Sequence, residues 1–168
     1  MQGQRATPDA RMQLGNALTQ AGVMGWLPLA FQNTVKEYFA YTTSFEPLPA
    51  SLTQSRNINI QSDTDFIILY ATMVVTTADN LTPLPFAPAL VQLRDGGDAA
   101  DLFQTPTHVE MVFGDAMQPG IFSVPYILTR NSSLQVTLQN LEANDRIYRL
   151  AFHGFRSWPN SNQNTGKL

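Results

Sequence analysis

The feature that most narrows the fold of this chain is a period of two. Leu134, Val136 and Leu138 alternate with Ser133, Gln135, Thr137 and Gln139, the pattern of a strand with one face in a core and the other in water. Asn57-Ile58-Asn59-Ile60-Gln61 alternates in the same way, and over Arg146 to Phe155 the residues Tyr148, Leu150 and Phe152 share one side. Phe66 to Thr77 is β-branched and aromatic throughout, which suits a long central strand. Ala89 to Arg94 reads as a short strand ending at Asp95-Gly96-Gly97-Asp98, a strong turn signal. Thr107 to Phe113 sets Val109, Met111 and Phe113 against His108, Glu110 and Val112, and predicts another strand. Phe122, Val124, Tyr126 and Leu128 share a face, but Pro125 confines that strand to an edge or a bulge. The last two strands flank the turn residues Asn140 to Asp145 and are expected to form an antiparallel hairpin.

Short strands at irregular spacing, prolines in the connections (Pro83, Pro85, Pro88) and no helical pattern between them predict an all-β fold, an antiparallel β-sandwich. An eight-strand jelly roll fits the count best. An immunoglobulin-like sandwich is the nearest competitor, though it wants steadier spacing and a shorter chain. Parallel α/β folds lack the crossover helices they need.

Three regions separate by composition. Residues 1–44 read as an extended N-terminal arm, 45–158 as the sandwich domain and 159–168 as a flexible polar tail. In the arm, Leu14 and Leu18 have helical spacing, but Gly15, Gly22 and Gly25 each weaken a helix by about 1 kcal/mol relative to Ala. The arm is nonetheless rich in aromatics: Trp26, Phe31, Tyr38, Phe39 and Tyr41. Such a segment needs a surface to lie on, either its own domain or a neighbouring subunit.

Composition removes several function classes. The net charge is −3, and the ten basic residues form no run. That argues against general nucleic-acid binding, which draws on Lys and Arg at phosphates. There is no cysteine, so disulfide scaffolds and Cys-based zinc sites are excluded. No stretch approaches the roughly 18 apolar residues of a membrane span. The N-terminus lacks a basic-then-apolar signal, so synthesis without export is the expectation. Only 14% of residues are charged, against about a quarter in ordinary globular chains. A surface built from Asn, Gln, Ser and Thr suits a protein covered by neighbours.

No catalytic residue and no cofactor or metal site is assigned. His108 and His153 are the only histidines, and no Gly-x-Ser-x-Gly elbow accompanies them. Asp95, Asp98 and Asp101 crowd a glycine loop that could hold calcium, but they lack EF-hand spacing, and a polar turn is the plainer reading. Asp63 and Asp65 are ordinary turn chemistry. No Gly-x-Gly-x-x-Gly or Walker motif offers a phosphate cradle. Asn80-Leu81-Thr82 and Asn131-Ser132-Ser133 match the glycosylation triplet by composition alone.

One resemblance stands out in the C-terminal block. Val124-Pro125-Tyr126-Ile127-Leu128, then Asn131 to Asn140, then Tyr148-Arg149-Leu150-Ala151-Phe152-His153-Gly154-Phe155-Arg156 resembles the end of jelly-roll capsid cement or decoration proteins of tailed bacteriophages. There a strand with an Asn-rich turn precedes a last strand closing on aromatic-x-Gly-aromatic-Arg/Lys. The resemblance covers about residues 45–158. It implies a homotrimer made in the host cytoplasm and seated on the virion surface, bound to the major capsid protein and to copies of itself, with no enzymatic activity, nucleic acid or membrane involved. Trp26, Phe31, Tyr38 and Phe39 are then the expected partner contacts. Two other roles remain open at this point: a carbohydrate- or receptor-binding module using Trp158 and the Asp95–Asp101 loop, and a head-tail connector component.

Overall fold

The computed structural model describes residues 35–79, 81–85, 87–114 and 118–158. Among the described residues ten strands run in chain order: β1 (Val35–Leu48), β2 (Thr53–Asn59), β3 (Asp65–Thr77), β4 (Pro83–Leu84), β5 (Ala89–Asp95), β6 (Ala100–Asp101), β7 (Thr107–His108), β8 (Gly120–Leu128), β9 (Ser133–Asn140) and β10 (Arg146–Trp158). They make two antiparallel sheets packed face to face, an all-β sandwich. The first sheet has the order β1-β10-β3, with β8 and the short β4 sharing the far side of β3. The second has the order β2-β9-β5, with β6 and β7 sharing the far side of β5.

The core lies between the sheets. Phe45, Phe66, Tyr148 and Phe152 from the first sheet meet Val91, Leu93, Val136 and Leu138 from the second, all fully buried. Strict alternation on β9 and β5 puts one residue in two into this layer, at about 1.5–3 kcal/mol per large side chain.

Three features depart from the sequence expectations. β9 and β10 are not a hairpin: β9 pairs with β2 and β5, whereas β10 pairs with β1 and β3. The turn between them therefore crosses from one layer to the other. Asn140 fixes that crossing from a fully buried position. Its Nδ2 donates to the carbonyls of Leu48, Pro49 and Asn144, and its Oδ1 accepts the N–H of Glu142 at 2.9 Å. A buried amide satisfied by the β1–β2 corner holds both sheet-crossing corners together.

Thr107 to Phe113 is a strand only at Thr107–His108; Val109–Met111 forms a 3-10 turn. The carbonyl of Val109 accepts the N–H groups of Val112 and Phe113 at 3.1 and 2.7 Å. Val109, Val112 and Phe113 are buried, an i, i+3, i+4 set that a helical turn puts on one side. Met111, placed by the alternation on the core face, is thrown outward.

The first sheet also begins at Val35, ahead of residue 45. Val35 to Ser44 pair with β10 in register, Tyr38 opposite Phe155 and Phe39 opposite Gly154. Pro125 sits as its chemistry requires. β8 has a single partner among the described residues, and its register with β3 breaks between Tyr126 and Ile121, so the missing N–H is never asked for.

Candidate functional site

Two places on the surface carry more chemistry than folding requires. The first is the outer face of the first sheet. A bulge in β3, where Leu69 is the extra residue opposite the continuous His153-Gly154 of β10, resets the alternation of β3 there. Gly154 is the residue that permits it, because an added Cβ would run into the carbonyl of Ile67. Beyond the bulge, Phe155 and Ile67 lie beside Tyr38 on the side of the sheet away from the inter-sheet core, where both are buried, and before it His153 lies beside Tyr70 on the same side.

These side chains form one connected cluster. The Tyr38 hydroxyl lies 2.8 Å from the Tyr70 hydroxyl and 2.8 Å from Nδ1 of His153, whose Nε2 lies 3.0 Å from Oγ1 of Thr72. The Tyr70 and His153 rings stack at 4.5 Å and 10°, and Tyr38 stands edge-on to Phe155 at 6.3 Å. Partial burial disfavours the imidazolium and lowers the His153 pKa. Burial, with the neighbouring Tyr70 hydroxyl, pushes the Tyr38 phenol up, so it stays protonated and can donate.

Thr72 leads from this cluster into a shallow trough of about 480 Å³ on the same face, lined by Thr42, Ser44, Glu46, Thr72, Val74 and Arg149. Nε of Arg149 donates to Oε1 of Glu46 at 2.6 Å. Both side chains are nearly half exposed, so the pair contributes little to stability. It does leave one cation and one anion, mutually neutralised, at the open end of the trough.

The second place is the edge formed by the 3-10 turn and β8. Phe103, Met111, Val112, Ile121 and Phe122 line a small hollow with no charged side chain. Met111 and Ile121 are 78% and 77% exposed, the two most exposed large apolar residues described. Val124, 57% exposed, continues along β8. Comparison with family models, with curated proteins and with solved structures returned no match. What these places do must therefore be argued from their chemistry.

The residues singled out from the sequence fall as follows. Tyr38 is half exposed on the outer face. Phe39 points the other way, packs edge-on to Tyr41 at 4.9 Å and sits under the Arg156 guanidinium, 3.4 Å from its ring centre. Trp26 and Phe31 lie outside the described residues. The Asp95 carboxylate is buried and accepts the N–H of Gly97 at 2.7 Å and the Tyr126 hydroxyl at 3.1 Å. Burial, and after it that bond, raises the Tyr126 pKa to about 12. Asp101 faces Arg94 at 3.7 Å. Among the described residues no three acidic or histidine side chains gather as a metal site. Trp158 closes β10 in the first sheet, whereas the 95–101 turn belongs to the second. His108 is exposed on β7.

Sequence reasoning missed the Thr42–Arg149 trough and the Met111–Ile121 hollow. Only Pro125 signalled the hollow, by marking β8 as an edge. The trough had no local signal, because Glu46 and Arg149 are 103 positions apart.

Proposed function

We propose that this protein is a non-catalytic structural subunit of a virion, seated on the capsid surface as a cement protein. In this reading it joins copies of itself, as a homotrimer, and binds the major capsid protein. The observation that most supports it is the charge-free hollow at β8. Two large apolar side chains stand more than three-quarters exposed over a rim of Phe103, Val112 and Phe122. A monomer in water gains nothing from that arrangement, whereas an interface gains about 25 cal/mol per Å² of apolar surface covered. A second copy is the occupant that fits. The hollow holds no charge to be matched, and a net charge of −3 lets copies approach without strong repulsion.

Two further features agree. The strand orders β1-β10-β3-β8 and β2-β9-β5-β7, with successive long strands changing sheet, are those we read as a jelly roll. β8 also leaves part of one edge unpaired among the described residues, an invitation to a partner. Contacts made only in the assembled shell stabilise that shell by mass action.

Light scattering behind size exclusion tests the proposal. The protein should run as a trimer, and Met111→Asp combined with Ile121→Asp should run as a folded monomer with an unchanged β-type circular dichroism spectrum. A native chain that is monomeric at every concentration overturns self-association. Co-sedimentation with purified capsid shells, with and without residues 1–34, tests Trp26 and Phe31. That truncation spares every described strand, and equal binding would remove both residues from the mechanism.

A further inference from the structure

The trough on the outer face of the first sheet has no part in the assembly reading and lies on other strands from the β8 hollow. Its contents are unusual for a solvent-facing sheet. Adjoining it past Thr72 is an aromatic cluster, Tyr70 stacked on His153 with Tyr38 half exposed beside them. The middle is a strip of small hydroxyl side chains, Thr42, Ser44 and Thr72, interrupted by Val74. The far end is the Arg149–Glu46 pair, 2.6 Å apart and open to solvent.

We propose that this trough binds a neutral oligosaccharide, laid along the sheet. A sugar ring has an apolar C–H face and a rim of hydroxyls that both donate and accept. The C–H face calls for an aromatic surface, which Tyr38 and Tyr70 offer just beyond Thr72 on the same face of the sheet. The hydroxyl rim calls for a donor and an acceptor held at fixed separation, which the Arg149 guanidinium and the Glu46 carboxylate supply together. Their hydrogen bond pre-orients both groups, so less side-chain freedom is lost on binding.

Charge selects the class within sugars. With one cation and one anion in contact, the trough has no net field to attract a sialylated, sulfated or uronic chain, or a phosphate. Openness selects the mode. A shallow trough across several strands accepts internal units of a chain, whereas recognition of a terminal residue needs a closed pocket. Thr72 bonds to Nε2 of His153, and His153 bonds to Tyr38, so the aromatic cluster is held in place before any ligand arrives.

The test is titration of the full-length protein with maltohexaose, cellohexaose, xylohexaose and chitohexaose, followed by isothermal calorimetry and by amide chemical shifts. At least one should bind, with shifts centred on Thr42, Ser44, Thr72, His153 and Arg149. Arg149→Ala and Glu46→Gln should each weaken that binding tenfold or more. Thr137→Ala, on the second sheet, should leave it unchanged, and so should Met111→Asp with Ile121→Asp, which separates this site from the assembly surface. Binding by none of the four at millimolar concentration overturns the proposal. So does binding that survives both trough substitutions, or that shifts residues elsewhere.

Discussion

The two sheets share one core but present opposite outer faces. The second sheet shows water a polar surface: Thr53, Ser55 and Asn57 on β2 lie opposite Gln139, Thr137 and Gln135 on β9, with Gln92 and Arg94 beyond them on β5. Its contacts are of the kind made by Ser55 and Thr137, whose hydroxyls lie 2.8 Å apart at the surface. The first sheet lines up Tyr38, Phe155, Ile67 and Ile127 across four strands, and Ala40, His153, Tyr70 and Ile121 in the next row. A sandwich needs only its inner faces to be apolar. On the outer face of the first sheet Ile67 and Phe155 are nonetheless buried, whereas Tyr38 and Ile121, at the two ends of these rows, are exposed; the exposed ends are what distinguishes this face from the polar one.

The sharpest way to break this comparison is at the bulge that creates it. Gly154→Ala should cost about 3 kcal/mol or more, because the new Cβ meets the Ile67 carbonyl and the central strand pair of the first sheet must separate. Urea denaturation measures it. A loss under about 1 kcal/mol would mean that the strands tolerate the added carbon and that the close approach at Gly154 is not what lets the bulge form.

A smaller effect sets the two outer faces against each other directly. Tyr70→Ala removes a ring stacked on His153 and a hydroxyl bonded to Tyr38, and should cost about 1–3 kcal/mol. Thr137→Ala on the second sheet should stay within about 0.5 kcal/mol. Equal costs would show that the first sheet's outer cluster is as dispensable as the polar one.

How much of this was legible in the sequence follows the same division. The second sheet was plain: β9 alternates without a break, and Asp95 to Asp98 ends β5 as a glycine turn should. Alternation also placed Tyr148, Leu150 and Phe152 in the core. β3 was legible as a strand but not as a two-faced one, since a continuous run from Phe66 to Val75 does not say which side is which. The layer crossing between β9 and β10 was invisible, because Asn140 reads locally as a turn residue and only its burial against the Leu48 and Pro49 carbonyls reveals its role. Met111 was misplaced because the hydrogen bonds of the Val109 carbonyl overrode a period-two pattern. The trough needed the registers of β1, β10 and β3 together, and no local pattern encodes those.

The smallest effect sharpens the comparison through pH. His153 is the one histidine in the outer cluster of the first sheet, and its described ring contacts are Tyr38 on β1 and Tyr70 and Thr72 on β3, none of them a carboxylate. Burial lowers its folded pKa below that of the unfolded chain. The unfolded state therefore binds more protons in that range, and stability rises with pH. The contribution is complete above the ordinary histidine pKa of about 6.5 and is lost as pH falls from there through the lower, folded value. The urea midpoint should accordingly fall on acidification from about pH 8 to about pH 5, and His153→Gln should flatten that part of the profile. If the substitution leaves the same slope, the carboxylates of the molecule carry the acid sensitivity and the imidazole is a packing element alone.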